Sequence, residues 1–168
     1  MKTAKYFLLI LFLLLLPPSW VEGQAPTRGL CSQLSLKCSS TYEFSPYHLP
    51  FEIREKLIVG KTYKSAPFYA VVLKSVKASG SDDCGYISEE ERLEVQKLFH
   101  DRKVFASRVS CPEELILYTN VNQDFNFLAV YAGASQSEAR QMLKKIKALG
   151  RYPQSYIRRM QVVLEFST

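Results

Sequence analysis

The chain has 168 residues, 47 % of them hydrophobic, and a formal charge of +6. That length is enough for one domain of ordinary size with a real core. Its four cysteines, at 31, 38, 84 and 111, fit no zinc spacing, and only His48 and His100 could add ligands, so the sequence gives no reason to expect a metal centre.

The first element is a targeting segment rather than part of the core. Lys2 and Lys5 precede ten apolar residues, Phe7–Leu16, followed by Pro17-Pro18 and then Val21-Glu22-Gly23. Basic, apolar and small-residue regions in that order are those of a secretory signal, and ten residues fall short of the roughly 20 that a membrane-spanning helix needs. Cleavage is expected after Gly23, with an uncleaved inner-membrane anchor as the alternative. Losing Lys2, Lys5 and Glu22 takes the charge from +6 to +5. Export argues against a nucleic-acid partner and favours an anionic or polysaccharide surface. The basic clusters Lys144-Lys145-Lys147 with Arg151, and Arg158-Arg159, would serve there, although a solvated helix face explains the lysines equally simply. An even cysteine count in an exported chain implies two disulfides, with three pairings open.

Residues 24–66 are turn-rich, with Pro26, Pro46 and Pro50, and read as an N-terminal arm. Cys31 and Cys38 would close a small loop in it, and Phe51–Val59 would form one short helix or strand. From residue 67 the pattern sharpens into a domain, 67–168. Pro67–Ala78 is a β-branched and aromatic run of strand type. After the turn-rich loop GSDDCG, Ser88 and Glu91 form an S-x-x-E helix start, and Val95, Leu98 and Phe99 its apolar face. Lys103–Ser110 is a second strand, Cys111–Asp124 a loop and Phe125–Ala132 a third strand. Ser135 and Glu138 repeat the capping box, Ala139, Met142, Leu143, Ile146 and Leu149 make one helical stripe, and Gly150 is the left-handed stop. Tyr156–Phe166 is the fourth strand.

The order β-α-β-β-α-β, two copies of one unit, folds most simply as an α+β, ferredoxin/RNP-like domain. Four antiparallel strands carry two helices on one face and leave the other open. In the first β-α-β unit the two strands run the same way, so Cys84 and Cys111, which follow them, should meet in a disulfide, leaving Cys31–Cys38 as the local one.

The stretch FLAVYAGASQSEARQMLKKIKALGRYPQSYIRR resembles the second half of a sporulation-related repeat (SPOR) domain. That family's signature is an apolar strand ending in glycine, a polar turn, E-A, leucine-type helix spacing and a closing A-L-G. Val130, Gly133, Ser137, Glu138, Ala139, Leu143, Ile146, Leu149 and Gly150 occupy those places. The first half keeps the element order but has Val72, Lys74 and Val76 where the family has glutamine, glycine and phenylalanine. The resemblance implies the same fold and a periplasmic role in binding peptidoglycan glycan strands stripped of stem peptides, alongside division or wall-remodelling proteins.

Sugar rings are met by aromatic faces and by donors and acceptors for their hydroxyls. Strand alternation places Leu128, Val130 and Ala132 under the helices, and Phe127, Ala129 and Tyr131 on the open face with Ala70, Val72 and Lys74. Arg159 and Gln161 face out if Met160, Val162 and Leu164 are core. The candidate glycan contacts are Phe127, Tyr131, Lys74, Arg159, Gln161 and Arg108. The competing reading packs Phe127 and Tyr131 beneath the arm, against Tyr42, Phe44 and Tyr47. Acidic residues cluster at Asp82-Asp83 and Glu89–Glu91, where a loop and a helix start explain them. No paired-carboxylate, nucleophile or cofactor pattern stands out. The expectation is a non-enzymatic glycan-binding module without cofactor or metal; the alternative is an envelope protein-interaction domain that docks on a wall enzyme.

Overall fold

A computed structural model describes residues 28–33, 38–78, 87–109, 111 and 114–167. The expected signal at 1–23, the GSDDCG loop and Cys84 lie outside them.

The ferredoxin-like arrangement is present as an antiparallel sheet in the order β3-β5-β2-β6, built from β2 (Phe68–Lys77), β3 (Val104–Ala106), β5 (Phe125–Gly133) and β6 (Tyr156–Met160). Helices α1 (Glu89–Gln96) and α2 (Gln136–Ala148) cover one face. Both helices start as their sequences dictate. The Ser88 hydroxyl accepts the Glu91 amide at 3.1 Å, and Ser135 and Glu138 form a reciprocal capping box. Gly150 adopts φ +69°, the left-handed stop. Between helices and sheet, Val71, Leu128, Val130 and Ala132 of the strands pack with Val95, Ala139 and Ile146 of the helices, all buried. Leu98 and Leu149, expected in the two helical stripes, are instead 39 % and 45 % exposed, because each falls just beyond its helix.

The other face is not open, which corrects the main structural expectation. A second antiparallel sheet, β1-β7-β4, lies over it, formed by β1 (Lys61–Lys64), β4 (Ile116–Tyr118) and β7 (Val162–Phe166). The arm completes the cover with Leu49, Phe51 and Ile53, all at 0 % exposure. The molecule is therefore three-layered: helices, sheet, then small sheet plus arm. Two sheets that face each other across interdigitated side chains bury far more apolar area than one solvated sheet.

Two local features make this possible. The fourth strand is broken at Gln161. Residues 156–160 pair with β2, and the chain then crosses to become the central strand of the second sheet. The Gln161 side chain donates to the Ser65 carbonyl at 2.9 Å, and Val162 N–H to the Ser65 hydroxyl at 3.0 Å, which fixes the crossing point. The loop after β3 also holds a three-residue strand, Ile116–Tyr118, that the sequence reading took as irregular. Tyr118 seals the layers: its ring stacks on Phe105 at 5.3 Å and meets Phe127 edge-on at 5.3 Å, while its hydroxyl accepts the Leu49 amide at 3.2 Å.

The arm is closed by a Cys31–Cys38 disulfide with Cα atoms 5.4 Å apart, the expected local pairing. Cys111 is also disulfide-bonded, and its expected partner Cys84 lies outside the described residues. Among the described residues no helix is long and apolar enough to cross a membrane.

Candidate functional site

The second sheet stops short of one end of the main sheet, and a cleft of about 310 Å³ remains there. It is lined by Ser75, Phe125 and Phe127 from neighbouring strands, by Val121 and Asn122 from the loop before β5, and by Tyr156 and Arg158 of β6. Strand pairing explains the grouping. Tyr156 lies opposite Val72 and Arg158 opposite Ala70, while Ser75 lies opposite Phe127, so all six share the face that the second sheet covers elsewhere. Tyr156 is 41 % exposed, and the Arg158 guanidinium stands 5.1 Å from its ring centre. A cation over an aromatic face holds both side chains in place without closing the ring to a ligand.

The cleft thus offers one exposed aromatic face, a second half-buried ring in Phe125, a guanidinium, a hydroxyl and an amide. This suits a ligand with alternating apolar faces and hydroxyl or carboxylate edges. Among the described residues, no group of three or more His, Cys, Asp or Glu could hold a metal ion.

The residues singled out from sequence do not form one surface. Phe127 is on the expected face and reaches the cleft, but it is 3 % exposed and belongs to the core with Phe105 and Tyr118. Tyr131 shares that face and packs on Phe68 at 5.8 Å; its free side opens onto a polar hollow lined by Ser32, Gln33, His100, Arg102 and Glu138. Both rings thus belong to a cluster that also takes in Tyr42 and Phe44 of the arm, but Phe127 lies against Phe105 and Tyr118 rather than against the arm.

Lys74 is expected on the open face with Ala70 and Val72; the register instead shifts between Val72 and Lys74, leaving Leu73 as an extra residue. The bulge turns Lys74 to the helix side, where its ammonium meets the Glu91 carboxylate at 2.9 Å. Arg159 lies opposite Tyr69, on the helix side as well. Gln161 has the structural role at the crossing described above. Arg108 lies with its guanidinium 3.9 Å from the Tyr47 ring centre, holding the arm to the loop after β3.

Sequence reasoning missed Tyr156, Arg158 and Phe125. The signal was present, since an aromatic and an arginine two residues apart on an edge strand share a face, but their grouping depends on where the second sheet ends.

Lys103 is the most perturbed group near the arm. Burial, and then the neighbouring Arg92, push its ammonium down to about 8, and it donates to the Pro46 carbonyl at 2.5 Å.

Compared with known proteins, the chain matches no family model, and neither a curated protein nor a solved structure is significantly similar to it.

Proposed function

We propose that this chain is an exported, non-catalytic module that binds peptidoglycan glycan strands in the periplasm, and that it does so in the Tyr156 cleft. The observation that carries this reading is the exposed Tyr156 ring under the Arg158 guanidinium, beside Phe125, Ser75 and Asn122, at an end of the sheet that the described part of the second layer does not cover. Aromatic stacking on pyranose faces, with polar groups at the rim, is the chemistry that a sugar chain needs. The likeness of Phe125–Arg159 to the second half of a SPOR domain supports the same ligand class. A place in division or wall remodelling follows from that likeness.

The test is retention on purified sacculi before and after amidase removes the stem peptides. Retention should rise on treated walls, and Tyr156→Ala should lower it severalfold while the protein stays folded. Equal retention on treated and untreated walls contradicts the denuded-glycan ligand; undiminished binding by Tyr156→Ala contradicts the cleft.

A second reading, an interaction domain that docks on a wall enzyme, is favoured by one feature. Leu93 is 46 % exposed on α1 beside Glu90, Glu94 and Lys97, a small apolar patch with a charged rim.

A further inference from the structure

The positive charge of this chain is concentrated in one segment. Residues 139–164 hold seven Lys or Arg and no Asp or Glu, a local +7 in a chain whose total is +6. All seven are exposed. Elsewhere Arg28, Arg54, Lys61, Lys74, Arg92 and Lys97 each meet a carboxylate, whereas none of the seven forms an ion pair among the described residues. Among the described residues their field is little compensated, with Glu94 feeling Arg151.

The fold brings these charges together. Helix α2, with Lys144, Lys145 and Lys147, packs on β6 from the helix side of the sheet, and Arg151 sits in the connection between them. On β6 itself, Arg159 points to the helix side and Arg158 to the cleft side. Among the described residues no strand lies beyond β6, and its Arg159 carbonyl accepts the Asn120 side-chain amide at 3.0 Å. The basic band thus runs from the helix, around a narrow edge, into the cleft at Tyr156.

We propose that this band binds a polyanionic glycan, one whose sugar units carry carboxylate or phosphate groups, with the Tyr156 cleft at one end of the track. The proposal rests on the glycan reading given above and adds the charge class of the polymer. Guanidinium forks match carboxylate and phosphate oxygens two at a time. The shape selects a polymer over a lipid surface. Arg158 and Arg159 project from opposite faces of one strand, so a flat bilayer cannot meet both, whereas a flexible chain can follow the edge.

The experiment measures binding of the full chain to alginate, a polyuronate, against neutral dextran and phosphatidylglycerol vesicles. Two variants are compared with the parent: Lys144→Gln/Lys145→Gln/Lys147→Gln, and the same three positions changed to Arg. Alginate should bind and dextran should not; the affinity should fall at least roughly tenfold between about 50 and about 300 mM NaCl. The Gln variant should lose about tenfold in affinity and the Arg variant almost none. Equal binding to dextran, salt-independent binding, or an unaffected Gln variant overturns the proposal, and vesicles bound as tightly as alginate overturn the choice of a polymer. The two readings fail separately. Loss of alginate binding in the Gln variant with Tyr156→Ala unchanged on sacculi removes the cleft and keeps the band; the reverse removes the band and keeps the cleft.

Discussion

The Nε2 of His48 lies 3.0 Å from the Glu114 Oε1, with both side chains almost fully buried between the arm and the second sheet. The pair is an electrostatic contact rather than an aligned hydrogen bond. Ser45 N–H donates to the His48 Nδ1 at 3.2 Å, so the neutral ring carries its proton on Nε2, facing the carboxylate. Glu114 also accepts the Ile116 amide at 2.9 Å, at the start of β4. One contact thus joins the arm to the strand that completes the second sheet. Removing His48 takes one partner from a buried carboxylate that keeps the Ile116 amide and the Tyr47 hydroxyl, so His48→Ala should cost roughly 1–3 kcal/mol in urea denaturation. Glu114→Gln, which keeps an acceptor for Ile116, should cost less. A loss below about 1 kcal/mol for His48→Ala would show that the pair contributes little.

Phe127 and Tyr156 should separate stability from binding. Phe127→Ala empties a site between Phe105 and Tyr118 and should cost about 3–5 kcal/mol. Tyr156→Ala, on an exposed edge, should change stability by about 0.5 kcal/mol or less and act on glycan retention alone. Chemical denaturation and the sacculus assay, run on both variants, decide it.

Lys103 gives a pH signature. In the unfolded chain the lysine keeps its proton up to its ordinary 10.5, whereas in the folded protein it releases it at about 8. Between those values the unfolded state binds more protons, so stability rises with pH; below about 8 both states are charged and the burial cost is present in full. Thermal denaturation should show a gain of about 1–2 kcal/mol between about pH 7.5 and 9.5, and Lys103→Met should abolish it. The window ends there for a reason. Burial raises the Tyr42 and Tyr118 phenols, whose unfolded forms ionise first, so above about pH 10 stability falls again. A parent protein with no gain over the window would contradict the burial of Lys103.

Gly133 and Gly150 both have positive φ but should respond differently. A Cβ on Gly133, at φ +122°, would stand 2.6 Å from the Glu138 carboxyl carbon, inside the capping box of α2. Gly133→Ala should therefore cost roughly 1–3 kcal/mol and reduce the helix signal in circular dichroism. Gly150, at φ +69°, has nothing within 4 Å, so Gly150→Ala should meet backbone strain alone, about 1 kcal/mol. Equal losses would mean that the capping box is not what restricts Gly133.

The half of the fold with strong local punctuation was legible in the sequence. Ser135, Glu138 and Gly150 mark α2 by chemistry that acts within a few residues, and strand alternation put Leu128, Val130 and Ala132 under the helices. The second sheet was not legible for physical reasons. Its strands are short, one hides in a loop as Ile116–Tyr118, and its centre is the continuation of a run that reads as a single strand through Gln161. A β-bulge leaves no composition signal, so Lys74 was assigned to the wrong face. The candidate site depended on all of these, and only Phe127 among the expected contacts lines the cleft.

The crossing at Gln161 has a bearing on when the molecule can close. One continuous run, residues 156–166, supplies both an outer rail of the first sheet and the middle of the second, with β1 and β4 on either side of it. Neither sheet can be finished before that run is in place, so the two layers close together. Cutting the chain at Gln161 would leave β1 and β4 with no neighbour to join them.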